Sequence, residues 1–288
     1  MKENSTRNNL LLLKQFGFSD KTLETIYTNE NEVLEVIFNK YHLFHDKYFD
    51  IYTKKEKNLS RDVNRLIEFS RTFVSKMNEY KKRGIKVFYK YSEDYPHHVF
   101  TKENKPLFLY AYGKVELLNS NKKRVAIIGT RNPTETGKEE TRKYVRNYTN
   151  KGWVTVSGLA KGIDTIVHIE TLNQSGYTIA IVPTSFEKIY PLENKNLYYD
   201  ILEREGLLLT KIGPFEDTYK TSFLERNTIV ASCSHEILFI EASLHSGTLN
   251  TVRKGYELGK KIYYDSTLLD KEVISYISEK YKAIQLNN

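Results

Sequence analysis

Apolar residues recur at helical spacing through the first eighty positions, and the period then changes. Leu10–Leu13, Phe16, Leu23 and Ile26 form one apolar pattern broken at Gly17, with Ser19 or Asp20 placed to cap its second half. Glu32–Phe38 and Val63–Met77 predict further amphipathic helices, the latter through Val63, Leu66, Ile67, Phe69, Phe73, Val74 and Met77. Between them, Lys54, Lys55 and Lys57 read as a solvated basic loop. The helix–glycine–helix start has the outline of half a helix-hairpin-helix DNA-binding unit, although a small helical bundle is the plainer account.

At Gly84 the pattern shortens. Ile85–Tyr89 and Leu107–Tyr112 read as strands, separated by the turn Glu93-Asp94-Tyr95-Pro96. From Arg124 onward short apolar runs alternate with helical segments. Strands are expected at Val125–Ile128, Trp153–Val156, Thr178–Val182, Leu207–Leu209, Ile229–Ala231, Glu236–Ile240 and Lys261–Tyr264. Helices are expected over Gly137–Asn150, Ile163–Gln174, Asn194–Glu205 and Thr248–Leu258. Such β-then-α alternation predicts an α/β fold with a mostly parallel, doubly wound sheet. Leu268–Leu286 reads as one closing helix or a frayed tail.

Composition narrows the partners. The 288 residues carry a formal charge of +8, with 22 tyrosines and a pI near 9.1. That balance fits polyanion binding, and it also fits a lysine-rich surface that is simply well solvated. Cys233 is the one cysteine, so a disulfide framework and a thiolate metal site are not expected. Four consecutive leucines near the start are too few for a signal peptide, and no segment approaches a membrane span, so a cytoplasmic setting is expected.

The chemistry gathers where strands end, which in an open α/β sheet is where ligands bind. The stretch Arg124–His168 holds two such ends. At the first, Gly129-Thr130-Arg131 lacks the GxGxxG spacing of a dinucleotide site and instead presents an arginine suited to phosphate oxygens. At the second, Ser157-Gly158-Leu159-Ala160-Lys161-Gly162-Ile163-Asp164 lets the backbone approach an anion ahead of a helix N-terminus. Asp164 is either a helix cap or a ligand contact, and His168 reads as a packed or hydrogen-bonding histidine. Further on, Phe223 could stack on a base beside Arg226 and Asn227, and Ser246-Gly247-Thr248 form a hydroxyl-rich loop at another helix start. Asp164, Glu241, His168 and His245 are the available general acids or bases. No nucleophile elbow, Walker loop or metal triad accompanies them, so no catalytic residue, metal or cofactor is assigned.

Taken in order, the motifs DYP, PLFLYAYGKVELL, VAIIGTR, SGLAKGID with His168, GYTIAIVPT, YPLENKNL, FLERN and EASLHSGTL, with Lys261 beyond, occupy Gly84 to Tyr264. In this region the chain resembles the DNA-processing protein family called DprA, or Smf. The resemblance implies an extended Rossmann-like domain that binds single-stranded DNA without strong sequence preference. It also implies a homodimer that loads a RecA-type recombinase during natural transformation, with no enzymatic turnover. It places Arg131 in the DNA pocket, with Ser157–Gly158, Lys195, Arg226–Asn227 and Ser246–Gly247 lining the same channel. Gly129, Thr130, Lys161 and Thr248 complete the expected DNA-binding set, and Tyr190 joins Phe223 as a candidate for stacking. Two departures stand out. Thr130 replaces the family's usual serine, and Glu225 sets a negative charge beside Arg226.

The expected organisation is a helical module over 1–80, an extended Rossmann-like domain over 81–266 and a tail or closing helix over 267–288. No winged-helix module of the kind many family members carry is expected in the residues that remain after the sheet. The expected function is that of a single-stranded DNA-binding recombination mediator. The alternative is a nucleotide sensor or a nucleoside-monophosphate phosphoribohydrolase of related architecture. Against hydrolysis stands the sequence ASLHSGT where that enzyme pattern has a PGGxGT loop.

Overall fold

The computed structural model describes residues 2–29, 46–244 and 246–286. The helix expected at Glu32–Phe38, and His245, lie outside these. The chain opens with α1 (Lys2–Phe16), α2 (Asp20–Asn29), α3 (Lys54–Leu59) and α4 (Val63–Lys82). The turn at Gly17 has φ 123°, a conformation that favours glycine. Ser19 then starts α2, its hydroxyl accepting from Thr22 N at 3.3 Å. The residues read as a basic loop form α3 instead. Thr53 Oγ1 accepts from Glu56 N at 3.2 Å while the Glu56 carboxylate accepts from Thr53 N at 2.7 Å, a capping box that nucleates the turn despite the three lysines.

The remaining described residues build on a nine-stranded sheet. Its strands are β1 (Lys86–Tyr89), β2 (Phe108–Gly113), β3 (Arg124–Gly129), β4 (Val154–Ser157), β5 (Thr178–Ile181), β6 (Leu207–Thr210), β7 (Glu236–Ile240), β8 (Lys261–Tyr264) and β9 (Ile284–Gln285). They lie in the order β1-β2-β6-β5-β4-β3-β7-β8-β9, antiparallel between β1, β2 and β6 and parallel from β6 onward. The helices among them are α5 (Glu116–Asn119), α6 (Glu135–Asn150), α7 (Ile163–Asn173), α8 (Lys195–Glu203), α9 (Lys220–Cys233), α10 (Gly247–Glu257) and α11 (Lys271–Tyr281). This is the expected extended Rossmann-like sheet preceded by helices.

Both faces of the parallel region are covered, which is why its strands read as unbroken apolar runs. Along β3, Val125 and Ile127 pack with Val145 of α6 and Ile163 and Val167 of α7. Ala126 and Ile128 face the other way, toward Ile229 and Val230 of α9 and Val252 of α10. Leu10, Leu13, Phe16, Phe73 and Tyr80 of the first helices share a core with Phe108, Tyr110, Ala180 and Leu208 of the sheet. Each fully buried leucine or phenylalanine among them contributes about 1.5–3 kcal/mol. Buried Gln15 reinforces this contact by donating to Tyr110 Oη at 3.0 Å and accepting from Phe215 N at 3.1 Å.

Two further expectations change. Ile229–Ala231 is not a strand but the buried end of α9, where Ile229, Val230, Ala231 and Cys233 are all inside and no polar side marks the helical period. After β8 the chain forms α11 and then the two-residue β9, which pairs in parallel with β8.

Candidate functional site

Strands β3 to β6 succeed one another in one direction across the sheet and β7 to β9 in the other, so the order reverses between β3 and β7. The crevice beyond the carboxyl ends of such a pair is the ligand position of open α/β sheets. Here it is a cavity of about 400 Å³. Thr130 and Arg131 enter it from the end of β3, Gly158 from the end of β4, Arg226 and Asn227 from α9, and Ser246, Gly247 and Thr248 from the start of α10. Four separate segments of the sequence therefore converge on one space.

Arg226 is its centre. The side chain is only 9% exposed, and Nη1 lies 3.5 Å from Asp164 Oδ2, at the outer limit of a hydrogen bond. Nε is buried with no hydrogen-bond partner among the described residues. Burial lowers the guanidinium's pKa, Asp164 acts against that shift, and Arg131 adds like-charge repulsion. Asp164 Oδ2 is already engaged, accepting from Gly158 N and Ala160 N at 3.2 Å each. The carboxylate thus ties the loop after β4 onto α7 and offers the arginine little compensation. A buried cation so poorly satisfied is stabilised by an anion entering the cavity.

Small residues allow the close approach. A Cβ on Gly158 would stand 1.1 Å from Arg226 Nη1. Gly162 has φ 78°, and a Cβ there would meet Thr130 O at 2.4 Å, so this glycine lets the loop after β3 rest on the loop after β4. Thr248 Oγ1 donates to Gly129 O at 2.9 Å, joining the start of α10 to the end of β3. Asn227 Nδ2 donates to Gly247 O at 3.2 Å. Ser246 is the N-cap residue of α10, but its hydroxyl makes no cap bond and has no partner among the described residues at the cavity wall.

Four of the expected residues are not cavity walls. Ser157 is fully buried and donates its hydroxyl to Ile127 O at 2.9 Å, a role inside the sheet. Gly129 packs beneath the turn, where a Cβ would meet Ile240 O at 2.2 Å. Lys161 is exposed and ion-paired with Glu193. Lys195 is exposed at the start of α8. Its neighbour Asn194 donates to Leu159 O at 3.0 Å, which docks that segment onto the loop after β4.

The aromatic candidates meet at the mouth. Tyr190 and Phe223 pack edge to face with centroids 5.4 Å apart, and Tyr190 is 45% exposed. Glu225 turns away to Lys211 at 3.1 Å and does not line the cavity. Sequence reading missed Leu224, Val230 and Thr251 in the lining, although Thr251 follows Thr248 at helical i,i+3 spacing.

The acid–base candidates are occupied. Glu241, with φ 31°, accepts from Thr134 N at 2.9 Å and from the Thr134 hydroxyl, anchoring the N-terminus of α6 to the end of β7. His168 is fully buried with Nδ1 2.7 Å from Thr178 Oγ1, and burial, helped by Arg226, depresses its pKa to about 3. Burial pushes the Cys233 thiol up to about 12, so it is no nucleophile at neutral pH. Among the described residues, no group of His, Cys, Asp and Glu is placed to hold a metal ion, and no helix is long and apolar enough to cross a membrane.

The family model for DNA recombination-mediator protein A matches residues 86–279, most of the chain and all of the site. The chain belongs to that family. Among relatives of this recombination-mediator family, DNA processing protein DprA of Bacillus subtilis is 33% identical over 64% of this chain and 61% of its own length. DprA of Streptococcus pneumoniae is 35% identical over 55% of each chain. The chain therefore spans about three fifths or less of the curated relatives it matches. The crystal structure of Streptococcus pneumoniae DprA superposes with a TM-score of 0.75 at 25% identity, covering 97% of this chain and 94% of that one. DNA processing protein A from Helicobacter pylori, solved for its single-stranded DNA binding mode, superposes with a TM-score of 0.62 at 29% identity, covering 71% and 91%.

Proposed function

We propose that this chain binds single-stranded DNA in the crevice between β3 and β7 and, as a homodimer, delivers it to a RecA-type recombinase without chemical turnover. The observation that carries the reading is Arg226, a buried guanidinium whose Nε has no partner among the described residues and which faces a second arginine across an open cavity. A phosphate there supplies the acceptors that Asp164 does not. The Tyr190–Phe223 pair at the mouth offers a face on which any base can stack, worth about 1–3 kcal/mol per base. The single-strand binding of the Helicobacter pylori relative supports the same reading. In this proposal Thr130, Arg131, Gly158, Arg226, Asn227 and Ser246–Thr248 contact the strand. Lys161 and Lys195 steer it from the rim, while Gly129 and Ser157 hold the turns in place. The working division is a helical module over 1–80, the DNA-binding domain over 81–266 and a closing segment over 267–288, in a cytoplasmic protein.

Nucleotide sensing is the second reading, because a cavity of about 400 Å³ has room for a mononucleotide. Hydrolysis is disfavoured because Asp164 and Glu241, the nearby carboxylates, are both engaged by backbone N–H donors. Fluorescence anisotropy of labelled oligothymidine across a salt series tests the proposal. Arg131→Ala and Lys195→Ala should each weaken binding and make the salt slope shallower by about 0.7 for each phosphate no longer neutralised. Unchanged binding in both variants, or displacement of the strand by micromolar mononucleotide, would sink it.

A further inference from the structure

We infer that the strand continues out of the cavity over Arg131 and runs along α6, held by Lys138 and Arg142. The inference rests on the single-strand reading above. Arg131 walls the 400 Å³ cavity and also borders an open depression of about 560 Å³ on its other side. Lys138 and Arg142 line that depression, and its apolar lining comes from Pro133 and half-buried Ile166. Among the described residues three cations and no carboxylate line it, beside an apolar patch that suits a sugar or a base, and the Glu135 carboxylate lies just outside, feeling both Lys138 and Arg142.

The spacing on α6 favours a chain of phosphates over a single ion. Lys138, Arg142 and Arg146 recur every fourth residue, which stacks them along one side of the helix. At 1.5 Å per residue the three span about 12 Å. Their partners differ. Arg146 Nε is bonded to the nearly buried Glu170 at 2.7 Å, which closes the far end of the stripe. Lys138 reaches Glu135 at 2.6 Å, but that carboxylate is 83% exposed, and a surface pair of this kind yields readily to a phosphate. Arg142 has no acidic partner within ion-pair distance among the described residues. The path is thus open at Arg131, cationic through Lys138 and Arg142, and ends at Arg146.

A thymidine dinucleotide and an oligothymidine of about 16 nucleotides separate the cavity from the path, since a cavity with room for about one nucleotide leaves the dinucleotide too short to run along α6. The full chain is titrated with each oligonucleotide across a salt series, as wild type, Arg142→Gln, Arg142→Lys and Arg131→Gln, after thermal unfolding confirms that each variant is folded. On the longer strand, Arg142→Gln should weaken binding several-fold and make the salt slope shallower by about 0.7, while Arg142→Lys keeps the wild-type slope. On the shorter strand Arg142→Gln should bind as wild type does, and Arg131→Gln should lose affinity at both lengths. If Arg142→Gln matches wild type on the longer strand while Arg131→Gln does not, the path is wrong and the cavity reading stands. Equal weakening at both lengths places Arg142 in the cavity and also overturns the path. If Arg131→Gln is silent as well, the cavity reading itself fails.

Discussion

Gly158 should tolerate a methyl group only when Arg226 is gone. Built onto the backbone, the Cβ of Gly158→Ala stands 1.1 Å from Nη1 and 2.3 Å from Cζ of Arg226. Ordinary contact needs about 3.4 Å or more between such atoms, so the guanidinium must retreat by about 2 Å. The weak 3.5 Å bond to Asp164 is then broken, and the cation is no longer aimed into the cavity where the proposed phosphate would sit. A charge-assisted hydrogen bond is worth about 1.5–3 kcal/mol, so affinity for single-stranded DNA should fall about 10- to 100-fold. Folding stability should fall by about 1–3 kcal/mol, the usual cost of overpacking a filled site. In an Arg226→Ala background the obstacle is absent. The remaining close approach, 2.9 Å to Asp164 Oδ2, needs a shift of only a few tenths of an ångström. The methyl should then be neutral for binding and should stabilise by up to about 1 kcal/mol, because alanine narrows the unfolded ensemble. A double-mutant cycle, read by DNA anisotropy and by urea unfolding midpoints, measures both effects. Additive losses, within about 0.5 kcal/mol, would show that the methyl disturbs the loop itself and that the guanidinium is not its target.

Two shorter predictions probe the surroundings of that pair. The folded protein holds His168 neutral with a pKa near 3, whereas the unfolded chain titrates near 6.5. A proton therefore binds the unfolded state first as pH falls. Stability is fully present above 6.5 and declines below it, by about 2 kcal/mol at pH 5. Urea titrations from pH 7 to 5 should show this decline, and a His168→Asn variant that declines as steeply would assign the loss elsewhere. Glu225→Gln should leave single-strand affinity within about twofold, because the carboxylate pairs with Lys211 at 3.1 Å outside the cavity; a large gain in affinity would place its charge beside the bound strand.

The sheet was legible because its physics is local. Parallel strands buried on both faces are continuous apolar runs, and Val125–Ile128 and Glu236–Ile240 read that way from composition alone. The end of α9 misled for the same reason. Thr228-Ile229-Val230 is β-branched and Ile229–Cys233 is buried all round, so helix and strand share one signature. In α3 the signal was present, since Thr53 and Glu56 have capping-box spacing, but three lysines in four residues give the segment the charge density of a solvated loop. The site was legible as a set of sequence segments and not as a set of contacts. Arg226 and Asp164 lie 62 positions apart, and Glu241 and Thr134 lie 107 apart, so no local spacing announces either pairing. Lys161 shows the converse, a basic residue in a phosphate-binding type of loop whose charge goes to Glu193.

The glycines explain why this crevice differs from a dinucleotide site built on the same topology. There, glycines bare the backbone so that a pyrophosphate can approach it and the helix dipole. In this chain the N–H groups of Gly158 and Ala160 are spent on Asp164, and Thr134 and Glu241 close the start of α6. The room left by Gly158 is filled from within by the Arg226 guanidinium. In the proposed site, charge for the ligand therefore comes from side chains, Arg226 inside and Arg131 at the edge, and not from bare backbone. An arginine offers a forked set of donors that a phosphodiester satisfies wherever it lies along a chain, without reading the nucleoside. A site built this way grips a continuous backbone better than it selects one nucleotide, which favours a polymer over a free cofactor as its ligand.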